Sequence, residues 1–138
     1  MEAKEILTPK NMFLALGTTV IVMSFYGMAN GDEWAEYGWG EDNVLAHDEA
    51  YEEMWALHLM PLGVMAMITG MVVTGKELAR MAMFSPVVLV ILAVGMTVLA
   101  SDNGYSTDPP SGISGILGGI MMIAVILTCV SGFMHKDE

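Results

Sequence analysis

The run Met81 to Ser101, MAMFSPVVLVILAVGMTVLAS, holds no charged residue and is bordered by Arg80, and its 21 positions decide the fold class. A bilayer core about 30 Å thick takes roughly 20 apolar residues of helix, so this stretch is long enough to cross one. Three further runs share the property: Asn11 to Gly31, Met54 to Gly75 and Pro109 to His135. The chain is therefore expected to be an all-α, polytopic membrane protein forming one domain. Its spans fall at about 11–31, 54–75, 81–101 and 111–134, with an acidic loop and helix extension at 32–53. A composition of 54% hydrophobic and 15% charged residues agrees, since a soluble bundle would carry polar faces along its helices.

Charge gives the expected orientation. Lys4 and Lys10 precede the first run, Lys76 and Arg80 separate the second from the third, and Lys136 follows the fourth. The other two connections contain no Lys or Arg and carry eleven acids, so the formal charge of −11 lies on one side. Cytoplasmic loops are enriched in basic residues. Both termini and the Lys76–Arg80 turn are thus expected in the cytoplasm, in an inner or plasma membrane, with the acidic connections outside. Lys4, Lys10 and the apolar stretch after them imitate a secretory signal, but are read as a retained first helix.

Along the chain, Thr8 and Pro9 suit a helix start. Gly17, Thr18, Thr19 and Ser24 let a neighbouring helix approach. Phe25, Tyr26, Trp34, Tyr37 and Trp39 form an expected aromatic belt at the membrane interface. After a turn at Gly38–Asn43, helical spacing resumes from about Val44. It places His47, Tyr51, Met54 and His58 on one face and an outer acidic surface of Asp48, Glu49, Glu52 and Glu53 opposite. Pro61 removes a backbone donor within this second span, and a kink is expected there. In the fourth span Ser111, Gly115 and Gly119 recur every four residues, and Ser114 with Gly118 repeats the interval, the spacing of a helix-packing groove.

Chemistry is sparse. His58 is the strongest candidate cofactor ligand, for haem or copper, and His47 with His58 are candidate metal ligands. Eleven residues of helix separate them by about 16 Å, so they cannot share one ion. His135 sits beside Lys136 at a helix end. The fifteen methionines scatter around their helices as gap-filling residues rather than as paired copper ligands. Cys129 has no disulfide partner. Asp102 and Asp108 lie in a turn-rich loop that lacks the later acid of an EF-hand. The sequence offers no nucleophile with its base, no phosphate-cradling loop and no basic patch for nucleic acid.

The leading expectation is a non-catalytic accessory or structural subunit of a larger membrane complex, of a respiratory or oxidase type. Its partners would be other membrane subunits, lipid and a basic soluble protein docking on the outer acidic face. The alternatives are a haem- or copper-binding redox protein using His58, and a small oligomeric cation channel or transporter with an acidic mouth. The side of the helix extension away from its acids, bearing His47, Tyr51, Met54 and His58, is expected to be covered.

Overall fold

A computed structural model of the chain describes residues 3–138, and these are helical with no strand. The elements are α1 (Ala3–Ile6), α2 (Pro9–Ala29), α3 (Gly31–Trp39), a short 3-10 turn (Glu41–Asn43), α4 (Asp48–Val72), α5 (Gly75–Met83), α6 (Ser85–Asn103) and α7 (Gly112–Met134). Four helical stretches are long and apolar enough to span a membrane: α2, α4, α5 continuing into α6, and α7. The integral-membrane class expected from the uncharged runs therefore holds.

The central pair is α2 with α4, antiparallel and in extensive contact. Its register is set by glycine. A Cβ on Gly17 would fall 2.6 Å from the Gly63 carbonyl oxygen and 2.5 Å from Met67, and one on Gly70 would fall 2.9 Å from Phe13. At the other end Gly27 meets Ala56. Without side chains at these points the backbones come close enough for dispersion to act over a long seam, which replaces the hydrophobic drive absent between helices in lipid. Ser24, expected to permit close approach, is fully buried, and its hydroxyl donates to the Val20 carbonyl.

Several boundaries differ from the expectation. The Lys76–Arg80 segment is not a turn. The chain reverses through Val73 and Thr74 to Gly75, whose φ of +61° favours glycine, and α5 then follows as an amphipathic helix. Leu78, Ala79 and Ala82 are buried on one side while Lys76, Glu77 and Arg80 stay exposed on the other. The loop at 32–53 is also largely helical, because α3 resumes one residue after α2 ends at Ala29. The helix that carries the second span begins at Asp48 rather than at about Val44 and ends at Val72. Asp48 accepts a hydrogen bond from the Leu45 amide at 2.8 Å, which closes a local turn in place of a further helical one. Pro61 lies inside α4 without ending it.

The end bearing the basic residues is the more closely packed, with only a smaller cleft of about 300 Å³ beside Lys10, Gly70 and His135. Phe13, Leu78 and Ala82 form its buried core, with Ala66 and Val73 packed against them. There α7 lies close on α5, since a Cβ on Gly132 would fall 2.5 Å from the Ala79 carbonyl. The Thr128 hydroxyl is fully buried and donates to the Ala124 carbonyl at 2.7 Å. Lys4 pairs with Glu138, tying the two ends of the chain together.

Candidate functional site

The other end is built differently. Of all residues in α6 only Ala100 is buried, and the helix touches α7 and α5 lightly. Its start is fixed where the Ser85 hydroxyl reaches the Val125 carbonyl at 3.3 Å. Beyond that point a cleft of about 700 Å³ opens between α6 and the rest of the bundle. Its apolar walls include Met23, Leu59, Leu89, Leu92, Met96 and Met121. At the acidic end it finishes on Glu33, Trp34, Glu52, Trp55, Tyr105 and Ser114.

A polar network gives that end its shape. The Ser114 hydroxyl donates to Glu33 Oε1 at 2.8 Å and accepts from the Trp34 indole N–H at 3.1 Å. The Tyr26 hydroxyl donates to the other Glu33 oxygen at 2.5 Å. The Tyr105 hydroxyl donates to Glu52 Oε1 at 2.9 Å. Among the described residues Glu52 Oε2 is buried with no hydrogen-bond partner. Such orphan oxygens are uncommon in folded proteins.

The loop after α6 closes this network from above. Tyr105 packs its ring directly on Gly38, where a side chain would collide with it, and meets Trp39 edge-on with ring centres 5.1 Å apart. The Ser106 amide donates to the Gly38 carbonyl at 2.7 Å. Burial first, and then the Glu52 carboxylate, hold the Tyr105 phenol well above its ordinary value of 10. Tyr105 is thus a neutral donor across the physiological range.

Within this chain the helix face bearing Tyr51, Met54 and His58 is left uncovered, and two of the acids expected outside turn inward. Asp48 and Glu52 each keep 5% of their surface, whereas Tyr51, Met54 and His58 are exposed. Of the expected outer acidic surface, Glu49 stays exposed and Glu53 is half-buried. The inversion follows from α3, which comes back over α4: a Cβ on Gly31 would meet the Glu49 carbonyl and the Glu53 side chain. Trp34, Tyr37 and Trp39 are half-buried against the protein, while Phe25 is exposed.

The small-residue stripe of α7 also has a different place. Ser111, Ser114 and Gly118 line the cleft, Gly115 lies against the Pro110 carbonyl, and nothing comes within 4 Å of a Cβ built on Gly118 or Gly119. The seam that is tightly closed, Gly17 with Gly63 and Gly70, carries its glycines on two different spans, so one-helix spacing did not reveal it.

His58 hydrogen-bonds its own helix, with Nδ1 2.5 Å from the Met54 carbonyl oxygen. His47 packs edge-on against Tyr51 and lies 3.6 Å from Asp48. Neither histidine lines the cleft. Among the described residues no three His, Cys, Asp or Glu side chains come together as a metal site. His135 and Cys129 bond the Ser131 and Met83 carbonyls respectively.

The chain matches no protein-family model, and comparisons with curated proteins and with solved structures find none that matches it.

Proposed function

We propose that this chain is an integral membrane protein that binds an amphiphilic ligand in the cleft between α6 and the α3–α4–α7 side of the bundle. The observation that carries the reading is the cleft itself, about 700 Å³, apolar along the span and ending on hydrogen-bonded carboxylates. Small-molecule sites have this character, a mostly apolar concavity of some 300–1,000 Å³ with a few converging polar groups. In a bilayer an apolar space of that size is filled by acyl chains or by a molecule shaped for it. The polar end supplies the orientation that acyl chains alone lack.

The test is retention. Protein purified in mild detergent and examined by native mass spectrometry is expected to carry a bound amphiphile. The double substitution Ala93→Phe with Gly118→Leu, which fills the cleft from both walls, is expected to abolish that adduct while the unfolding midpoint stays near that of the parent. An unchanged adduct in the filled variant would overturn the reading.

A second reading, a subunit of a larger membrane complex of respiratory or oxidase type, is favoured by α6 and by Gly119. The outward face of α6 is unpacked within the chain, and so is the space over Gly119. This reading expects co-purifying subunits in mild detergent, and a stable monomer with no protein partner would sink it. Under either reading the segregation of basic from acidic residues supports a cytoplasmic basic end. Cysteines introduced at Lys76 and at Asp108 and probed with an impermeant thiol reagent on intact cells should react only at Asp108.

A further inference from the structure

We infer that the head group bound at the acidic end of the cleft is an organic cation of the ammonium class, carried on an apolar body. The inference rests on the amphiphile-binding reading and names its ligand class. Its basis is the pairing of an orphan buried carboxylate with aromatic rings, in a half of the molecule without a basic residue.

Glu52 lines the cleft with 95% of its surface covered, one oxygen held by Tyr105 and the other without a partner among the described residues. Glu33 lines the same end, and both of its oxygens accept hydrogen bonds from neutral hydroxyls, Tyr26 and Ser114. These donors orient the carboxylates without supplying a positive charge. All five Lys and Arg of the chain, Lys4, Lys10, Lys76, Arg80 and Lys136, belong to the opposite end. His47 faces Asp48 and Tyr51 and is not a lining residue. A cation is therefore the complement that the chain itself does not supply, and buried charges are normally paired.

The rest of the lining selects among cations. Trp34, Tyr37, Trp55 and Tyr105 surround the same end. Aromatic faces attract ammonium groups, most strongly when water is excluded. A bare metal ion would gain little from such rings, and an apolar body is required by the remaining walls, which run along α6 from Leu89 to Ala100, about 16 Å of helix. A zwitterionic phospholipid is disfavoured, because its phosphate would lie near Glu33, Glu36, Glu41 and Glu52 with no basic residue to receive it. A neutral alcohol could donate to one Glu52 oxygen but brings no positive charge to the site.

The experiment compares three dodecyl amphiphiles that share a tail: dodecyltrimethylammonium, dodecanol and dodecylphosphocholine. Binding to the full-length protein in nanodiscs of neutral lipid is read from tryptophan fluorescence, with empty nanodiscs correcting for partition into lipid. The ammonium compound is expected to bind about tenfold more tightly than the alcohol. That preference is expected to fall by about tenfold in Glu52→Gln and to vanish in Glu33→Gln/Glu52→Gln. Thermal unfolding of each variant establishes that it is folded, and Tyr105→Phe, which keeps both carboxylates, should retain most of the preference. Equal binding of the ammonium compound and the alcohol would overturn the cationic head while leaving the cleft as an amphiphile site. Preference for the phosphocholine would overturn it in favour of a membrane lipid. No binding of any of the three above empty nanodiscs would overturn both readings together.

Discussion

The closed half of this protein and its open half are made from similar residues, and they differ in what faces them. In the closed half, Gly17 on α2 lies opposite Gly63 on α4, and Gly132 on α7 lies on the α5 backbone. Each small residue meets a surface that fits it. In the open half Gly118 of the α7 stripe lines the cleft with nothing within 4 Å of an added Cβ, while Ser114 is held by Glu33 and Trp34 of α3. Small residues at helical spacing thin a helix surface, but they do not determine what fills the gap. That depends on whether the facing element brings a matching row in register.

The largest effect expected from this contrast is at Gly63. A Cβ there would fall 2.8 Å from Ile21 and 2.9 Å from the Gly17 carbonyl oxygen, so a leucine must push two backbones apart. Gly63→Leu is expected to destabilise the protein by about 3 kcal/mol, the upper part of the overpacking range. Gly119→Leu, with open space around its Cβ, should stay within about 0.5 kcal/mol. Unfolding titrations in mixed micelles measure both. Equal losses would break the comparison by showing that something else covers Gly119, which would favour the subunit reading.

Next in size is Gly38→Ala. The methyl group would meet the Tyr105 ring, and the loop holding that ring is tied to α3 through the Ser106 amide. A cost of about 1–3 kcal/mol is expected, together with loss of the near-ultraviolet circular dichroism from the Trp39–Tyr105 contact. If stability falls while ligand binding persists, Tyr105 closes the fold without shaping the site.

The membrane class and the approximate spans were legible because length and absence of charge act locally: every residue of Met81 to Ser101 reports the same environment. The site was not legible, since it is assembled across long separations. Glu52 meets Tyr105, and Glu33 meets Ser114, only after α3 folds back over α4 and α6 returns the chain. Helical spacing correctly put Asp48 and Glu52 on a different face from His47 and Tyr51. It could not say which face the chain itself would cover, and within the chain Asp48 and Glu52 are the buried ones. Carboxylates near a span can turn inward when hydroxyl donors from distant elements await them. Gly38 was visible as a turn residue, but its close contact with an aromatic ring 67 positions later was not.

A smaller effect should appear at alkaline pH in the open half. The folded phenol of Tyr105 titrates above its unfolded value, near 10. Its contribution is therefore fully present below that value and is lost as pH rises through the folded one. Melting temperatures between pH 9 and pH 12 should fall more steeply for the parent than for Tyr105→Phe, which has no proton to lose. Parallel curves would mean that Tyr105 is open to solvent and that the cleft lacks its cover.

The smallest effect belongs to the closed half and has the opposite sign. Glu138 is held below its ordinary value of 4.5, chiefly by the hydrogen bond from Lys4 and further by attraction to Lys4 and His135. A lowered folded value means that the contribution is present above the ordinary value and is lost as pH falls through the folded one. Both partners of this pair are substantially exposed, with about half of each side chain open to solvent. Exposed pairs contribute little and are screened by salt. Glu138→Gln should therefore melt barely below the parent at pH 7 in low salt, and the two curves should converge as pH falls through the lowered folded value or in molar salt. The Glu52–Tyr105 contact, being buried and having a neutral donor, should show no such dependence on salt. A salt-sensitive open half with an insensitive closed half would reverse the assignment of ionic and neutral ties on which the contrast between them stands.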